Sequence, residues 1–361
     1  MRSELALLVA LVSACAPDVV IGTERQLTVV ATTPLADGRW RQAGFRVAEA
    51  DTEPASDLWY GTTSTDGALP SFESPALAGA DAIRAATVLG TSWVVGGFVT
   101  EGGQRVAWLR ALDEANGEVW TTMLPAPGGG STEVTALTTS NEGTLLVAGL
   151  EQDSRGWVAM LEPDGALRWR RSFETDFQMQ AAGFTPHVVV AEDGPPTPSR
   201  RQFWLAGRRS RTDSGYALQM TLDGELWDSE PFGVAGAQSR GVVAAGRSGI
   251  VVCTQTGGAV QLAWTQGGGV SGGALTDVPG AFELKTCLGS VSQVKLVGTV
   301  LRDELRVPTV VTFDRASRAV VDTQETTPGP FVFGAAQAAS GSVMLVGRTT
   351  SPMRRWSASV P

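Results

Sequence analysis

Five arginines lie close together in a chain that is otherwise acidic; they are Arg200, Arg201, Arg208, Arg209 and Arg211. Guanidinium groups hold carboxylates and phosphates through paired hydrogen bonds. Residues 202–207 between the two groups are expected to form a strand about 17 Å long, which would carry the groups to opposite ends. Arg208, Arg209 and Arg211 are therefore a candidate anion-binding patch, and solvated loop ends are the alternative interpretation.

Two cysteines in the second half of the chain, Cys253 and Cys287, are candidates for a disulfide if the protein is exported to an oxidising compartment. The alternative is a pair of buried thiols that pack as small apolar side chains. The residue types fit both interpretations equally well.

Residues for catalysis or metal binding are sparse. The chain has one histidine, His187, which argues against a histidine-rich metal site and against a histidine-dependent triad. No spacing that would fix a mechanism is found among the scattered acids Asp81, Asp277 and Glu283, and the two tyrosines, Tyr60 and Tyr216, fall within strands. We predict no catalytic residue, no metal ligand and no cofactor.

The composition indicates many short elements joined by turns. Of 361 residues, 43% are hydrophobic and 18% are charged, with 43 glycines and 19 prolines, so long helices are not expected. The formal net charge is −9, which argues against nucleic acid as a partner because a polyanion requires a positive field.

A short apolar strand that ends in glycine recurs along the chain. Its copies contain Gly44, Gly96, Gly149, Gly207, Gly298 and Gly347, and Cys253 occupies the same place between the fourth and the fifth. Successive copies are 45 to 58 residues apart, which is the period of a repeat architecture. In four copies a turn glycine lies six residues earlier, at Gly38, Gly90, Gly143 and Gly341.

Each copy continues through an alternating strand, a turn and a last strand. Three copies have the Asp-Gly turn that is typical of hairpins, at Asp66-Gly67, Asp164-Gly165 and Asp223-Gly224. A further strand precedes the glycine-ended one, so each copy has four short antiparallel strands, as a propeller blade does. Seven copies predict an all-β chain that forms a single β-propeller of seven four-stranded blades over residues 27–361.

The first fifteen residues, MRSELALLVALVSAC, have the layout of an export signal, with an apolar run too short to span a bilayer. Residues 12–15 resemble the lipobox of bacterial lipoproteins. The resemblance implies a signal peptide over residues 1–15 that ends at a lipidated Cys15, and Ala16 after it implies the outer membrane. A cleavage site without lipid, next to an incidental cysteine, is the alternative.

The remaining leader, residues 16–26, is predicted to be a tether. Its apolar residues 19–21 are expected to supply the fourth strand of the last copy, because that copy has only three strands of its own. Pairing the two ends of the chain in this way would close the ring.

The repeated phrase resembles the bacterial β-propeller repeat families of secreted and surface proteins, most of which lack a catalytic signature. Residues 111–120, ALDEANGEVW, resemble the pyrroloquinoline-quinone-type repeat, and residues 313–322 are a degenerate copy of it. This resemblance implies that a tryptophan docks one blade on the next, rather than that a quinone binds. We expect packing roles for Trp59, Trp108, Trp120, Trp157, Trp169 and Trp227, which occupy repeated strand positions.

These observations predict an envelope-anchored, non-catalytic β-propeller lipoprotein that contacts the membrane through its N-terminal lipid. Its expected partner is an envelope protein or a polysaccharide, because a propeller presents two wide, preformed faces. The alternative is a carbohydrate-active or quinone-dependent enzyme that uses the central channel. A surface protein without a specific small ligand is a third interpretation.

Overall fold

β-Strands are the regular secondary structure throughout the part of the chain that the computed structural model describes. That part comprises residues 27–35, 37–46, 57–63, 82–139, 143–151, 155–173, 177–178, 188–192, 201–209, 214–235, 238–244, 250–266, 269–275, 278–289, 292–338, 340–348 and 355–360. Within these ranges there is no helix long and apolar enough to cross a membrane.

The strands are short and follow one another through turns and loops. In the first half they are β1 (Leu27–Pro34), β2 (Trp40–Arg46), β3 (Asp57–Thr62), β4 (Ala82–Leu89), β5 (Ser92–Glu101), β6 (Gln104–Leu112), β7 (Glu118–Leu124), β8 (Thr132–Thr139), β9 (Leu145–Glu151), β10 (Arg155–Leu161), β11 (Leu167–Ser172), β12 (Phe177–Gln178) and β13 (Val188–Glu192). In the second half they are β14 (Arg201–Arg209), β15 (Ser214–Thr221), β16 (Leu226–Ala235), β17 (Gln238–Ala244), β18 (Ile250–Thr256), β19 (Ala259–Gln266), β20 (Gly269–Ala274), β21 (Phe282–Gly289), β22 (Gln293–Arg302), β23 (Leu305–Asp314), β24 (Ala319–Glu325), β25 (Phe331–Gln337), β26 (Val343–Arg348) and β27 (Arg355–Val360).

The chain forms a single all-β propeller, but the predicted seven four-stranded blades are wrong. The described strands form six sheets: β1–β3, β4–β7, β8–β16, β17–β20, β21–β24 and β25–β27. The third sheet has nine strands because the two-residue strand β12 pairs with both β10 and β14, which joins the third and fourth sequence copies. The first and last sheets have three strands each.

The first strands of the sequence copies lie around the centre of the molecule; they are β1, β4, β8, β13, β17, β21 and β25. Each contacts the first strands that precede and follow it, and β25 contacts β1, so the ring is closed. The predicted signal segment 1–15, the tether 16–26 and its closing strand 19–21 lie outside the described residues and stay predictions.

Apolar side chains fill the space between neighbouring sheets. Trp157 of β10 and Leu109 of β6 are fully buried in one cluster. Where the ring closes, Trp40 of β2 packs with Met344 and Val346 of β26. Because sheets bury apolar surface against neighbours on either side, the closed ring is what completes the core.

The recurring glycine has a specific packing role beside a β-bulge. In six first strands the register shifts at one residue, which is the extra residue of a β-bulge; these residues are Val30, Arg84, Thr135, Arg240, Lys285 and Phe333. The bulge pushes the preceding backbone towards the second strand. A Cβ on Gly149 or Gly298 would overlap a backbone carbonyl oxygen, that of Glu133 or Glu283 respectively.

The strand register shows that the repeat pattern placed two of its residues, Gly96 and Cys253, one position too early. Gly97, and not Gly96, pairs with the residue before the bulge in β4, as Gly149 does in β8. In the fifth copy this place belongs to Thr254, so Cys253 lies one residue earlier than the repeated glycine.

Turn glycines have the conformations that their positions predict. Gly165 and Gly224 have φ values of 84° and 80°, in the left-handed region that glycine tolerates. Each closes a hairpin, since its amide donates to the carbonyl three residues earlier, on Glu162 and Thr221. The predicted Asp-Gly hairpins are therefore confirmed at both positions, and Asp66-Gly67 lies outside the described residues.

Two tryptophans of outer strands each dock one copy on the next. Trp120 Nε1 donates to the Pro163 carbonyl at 3.0 Å, and Trp169 Nε1 donates to the Leu222 carbonyl at 2.7 Å. Both acceptors belong to the Asp-Gly hairpin of the following copy, where an added Cβ on the turn glycine would touch the indole ring. The expected docking is confirmed at these two positions.

We predict that Gly298→Ala lowers the free energy of unfolding by about 2 kcal/mol, because the new methyl group meets the Glu283 carbonyl beside the bulge. Gly280→Ala is the matched control, since a Cβ there meets no atom within 4 Å. We expect the control to change stability by less than about 0.5 kcal/mol. Urea denaturation of both variants measures the difference, and equal stabilities would contradict the bulged register.

Candidate functional site

The bulged first strands surround a cavity of about 220 Å³ in the centre of the propeller. Its lining comes from β1, β4, β8, β21 and β25, and so from opposite sides of the ring. The bulged residues Val30, Arg84, Thr135 and Lys285 all line it. A β-bulge redirects a side chain that regular pairing would place elsewhere, which explains why these residues face the centre.

Three of the six bulged positions carry a positive charge. Arg84 lies on β4, Arg240 on β17 and Lys285 on β21, and each is the extra residue of a β-bulge. We refer to Arg84, Arg240 and Lys285 as the cation ring. Arg84 and Lys285 of this ring line the cavity and concentrate positive charge there, in a protein of net charge −9.

Glu283 joins two cations, Lys285 of the cavity wall and Arg306 of β23. Lys285 Nζ donates to Glu283 Oε1 at 2.6 Å, and Arg306 Nη1 donates to Glu283 Oε2 at 2.8 Å. Burial acts to raise the pKa of the Glu283 carboxyl, but the hydrogen bonds and charges of Lys285 and Arg306 outweigh it and hold the pKa below its usual range. The carboxylate is therefore ionised at neutral pH.

Arg240 lies close enough to Glu283 to be influenced by its charge. Burial lowers the pKa of the Arg240 guanidinium, and the negative charge of Glu283 acts in the opposite direction. A guanidinium remains protonated at neutral pH even so. Arg240, Lys285 and Arg306 thus all interact with the Glu283 carboxylate.

Arg84 is exposed to the channel and lies over an aromatic ring. Its Cζ is 5.5 Å from the centre of the Phe98 ring, and Arg105 lies 4.7 Å from the same ring. Arg105 also forms an ion pair with Glu133 at 3.4 Å. No ion pair of Arg84 with another described residue is found, so its charge is available at the channel surface.

Thr32 adds a polar group to the same cavity. The residue lines the cavity and is 7% exposed. Its Oγ1 is buried and has no hydrogen-bond partner in the described part of the chain. A buried hydroxyl without a partner is unfavourable, and a bound molecule with a hydrogen-bonding group would remove that cost.

The predicted arginine patch is separated from this channel in sequence and in strand position. Arg208 and Arg209 lie on β14, where they pair with Gln178 and Phe177, while Arg201 is at the other end of the same strand. Arg211 lies outside the described residues. Whether Arg208, Arg209 and Arg211 bind an anion together stays a prediction.

Other residues considered for chemistry do not assemble into a catalytic group in the described ranges. Of the three scattered acids, Glu283 is bonded to the cavity residue Lys285, and Asp81 and Asp277 fall outside the described residues, as does His187. Tyr60 is buried against Trp93, with the ring centres 6.4 Å apart. The described residues contain no group of three or more His, Cys, Asp or Glu placed to hold a metal ion.

Cys253 and Cys287 form a disulfide in the structure. Cys253 lies on β18 and Cys287 on β21, so the bond joins two neighbouring sheets, with the Cα atoms 6.4 Å apart. Both residues are buried in the apolar cluster between those sheets. The bond therefore links two sheets that otherwise meet through side-chain packing.

The cation ring was missed by sequence reasoning, which searched the channel for acids. A positional signal does exist, because the bulge keeps a nearly fixed distance from the repeated glycine position. Arg84 precedes Gly97 by 13 residues and Lys285 precedes Gly298 by 13, while Arg240 precedes Thr254 by 14. Aligning the copies on that position brings Arg84 and Lys285 into one column and places Arg240 one residue away from it.

A second cavity of about 440 Å³ lies between the first two sheets. Its lining includes Asp37, Arg39, Arg41 and Glu114, whose charges balance. Arg39 is paired with Asp37 at 2.7 Å, and Arg41 donates to the Asp113 carbonyl at 2.8 Å. The central channel, with its excess of cations, is the better candidate for a binding site.

No protein-family model and no curated protein sequence matches the chain. Several solved structures are similar to it. The Dos1 propeller matches with a TM-score of 0.54 at 10% identity, over 93% of each chain. A protein of unknown function from Dyadobacter fermentans DSM 18053 matches with a TM-score of 0.54 at 11% identity, over 95% of this chain and 97% of that one.

Sqt1 from Chaetomium thermophilum matches with a TM-score of 0.54 at 13% identity, over 91% of this chain and 80% of that one. Similarity at such low identity shows the fold alone, and it supports the propeller. The resemblances to lipoproteins and to quinone-type repeats continue to rest on the residues that suggested them.

We predict that replacing both cysteines, with Cys253→Ala and Cys287→Ala together, lowers the free energy of unfolding by about 3 kcal/mol. The bond closes a loop with a sequence separation of 34 residues, and the unfolded chain gains entropy when that loop opens. Urea denaturation measures the loss, and a non-reducing peptide map should show the two cysteine peptides linked. Two titratable thiols in the native protein would contradict the bond.

Proposed function

We propose that this chain is an exported, non-catalytic β-propeller that is anchored to the bacterial outer membrane through a lipid on Cys15 and binds a protein or polysaccharide of the envelope. The observation that carries the proposal is the cation ring, held on the innermost strands of a closed ring of sheets. Rigid elements hold binding groups in place before a ligand arrives, which lowers the entropic cost of binding.

Export is supported by two independent features. The predicted signal over residues 1–15 precedes a chain whose remaining cysteines, Cys253 and Cys287, are bonded to each other. Disulfides form and persist in oxidising compartments such as the periplasm and the cell surface. A tether over residues 16–26 would then separate the lipid from the propeller.

A binding role fits the state of Glu283 better than catalysis does. A general acid requires a carboxyl group whose pKa is raised towards neutrality. The pKa of Glu283 is shifted the other way, because Lys285 and Arg306 hold the carboxylate from both oxygens. Glu283 therefore positions two cations, which is a structural task within a binding site.

The face where the first strands begin is the proposed binding face. The bulged residues lie within the first four positions of their strands, near that face. Arg105, next to the β5–β6 hairpin, contacts Glu133 at the beginning of β8, which places this hairpin at the same face. The β6–β7 hairpin at Asp113–Gly117 lies at the opposite end of β6 and so at the other face.

The test is photocrosslinking of the full chain in its own envelope, with a photoreactive amino acid at Gln104 or at Glu114. Both positions are exposed, and they lie in hairpins of one sheet at opposite faces. We expect one abundant adduct, with a protein or a glycan, from Gln104 and little from Glu114. A Cys15→Ser chain should leave the membrane fraction and lose the adduct.

Two results would overturn the proposal. Equal labelling from both hairpins, without a dominant adduct, would contradict the proposed binding face. Retention of the Cys15→Ser chain in the membrane fraction would contradict anchoring through a lipid on Cys15.

A further inference from the structure

We propose that the central channel binds an acidic sugar residue, such as a uronate, of an envelope polysaccharide, with Arg84 and Lys285 holding the carboxylate and Thr32 bonding a sugar hydroxyl. This inference rests on the proposed function and specifies the ligand class for the same face. It follows from three observations in the cavity: its charge, its orphaned hydroxyl and its size.

The charge of the channel requires an anion. Arg84 projects from β4 and Lys285 from β21, and both line the same cavity. Arg240 lies at the equivalent bulged position of β17. The negative charge of Glu283 offsets one of these positive charges. An excess of cations therefore remains for the carboxylate of a ligand to neutralise.

The Thr32 hydroxyl favours a ligand that carries a hydrogen-bonding group besides its carboxylate. Thr32 Oγ1 is buried at the cavity without a partner among the described residues. Phosphate or another simple anion would satisfy the cations, whereas a sugar acid carries a carboxylate and several hydroxyl groups on one ring. The combination of cations and a buried hydroxyl therefore favours a hydroxylated acid over a simple anion.

The size of the cavity favours a single residue of a chain. At about 220 Å³ it is smaller than the sites that enclose drug-sized ligands. Its walls carry small side chains, including Ala85, Ala136 and Ala335, which leave room for a sugar ring. An acidic peptide could place one carboxylate there, but it has no hydroxyl-rich ring for Thr32.

Calorimetry of the soluble Cys15→Ser full chain is the direct test. The probes are a short oligogalacturonate, a neutral maltooligosaccharide of the same length, a glutamate oligopeptide and inorganic phosphate. We expect the oligogalacturonate to bind at least tenfold more tightly than the other three. Its affinity should fall as salt is raised, because the contact is ionic.

Variants separate a specific site from general charge. Arg84→Gln and Lys285→Gln should each weaken oligogalacturonate binding at least tenfold, and Arg84→Lys should restore part of the loss. Thr32→Val should weaken it several-fold and leave any binding of phosphate unchanged. Arg168→Gln removes an exposed cation from the outer strand β11 and should have no effect.

The inference is overturned if the glutamate peptide or phosphate binds as tightly as the oligogalacturonate, or if Arg168→Gln has the same effect as Arg84→Gln. Thermal unfolding of each variant checks that the fold is retained, and the lysine variant of Arg84 covers the case in which Arg84→Gln does not fold. If Gln104 still yields an envelope adduct while oligogalacturonate does not bind, the proposed function stands and the ligand class is wrong. Absence of both results overturns both proposals.

Discussion

The contact between a bulged first strand and a glycine of the second strand recurs in five units of this propeller and determines how they are built. The bulge adds a residue to the inner strand and brings a backbone carbonyl to the place that a Cβ would occupy, as at Gly149 and Gly298. Glycine is therefore the residue that allows the two strands to pair at this point. The same bulge directs Arg84 and Lys285 into the channel, so a backbone constraint also places the charges of the candidate site.

Packing between sheets depends on the same repeated geometry. A tryptophan that docks on the following hairpin also requires glycine at the turn of that hairpin. Trp169 docks on the turn at Gly224, where a Cβ would meet the indole ring. In the second half of the molecule the Cys253–Cys287 bond adds a covalent link between two sheets. Neighbouring sheets thus hold the first strands in a fixed ring, and a fixed ring is what a preorganised binding site needs.

Much of the architecture could be predicted from the sequence because the turn and packing glycines have strict steric causes. The strand positions, the hairpins at Gly165 and Gly224 and the propeller class follow from that pattern. The sheet count could not, because the two residues of β12 have no strand pattern and still join two copies by pairing with β10 and β14. The Gly96 assignment failed by one residue, since two adjacent glycines satisfy the pattern and only the pairing selects Gly97. The cation ring had no motif because residues with very different side chains, such as Val30 and Arg84, occupy the bulged positions.

The central claim is that bulged inner strands place cations in the channel for an acidic ligand. The most direct measurement is a crystal structure of the Cys15→Ser chain grown with galacturonate. We expect Arg84, Arg240 and Lys285 to be the extra residues of β-bulges, with a sugar carboxylate within hydrogen-bond distance of Arg84 or Lys285. Regular pairing at these positions, with the three side chains directed away from the channel, would contradict it.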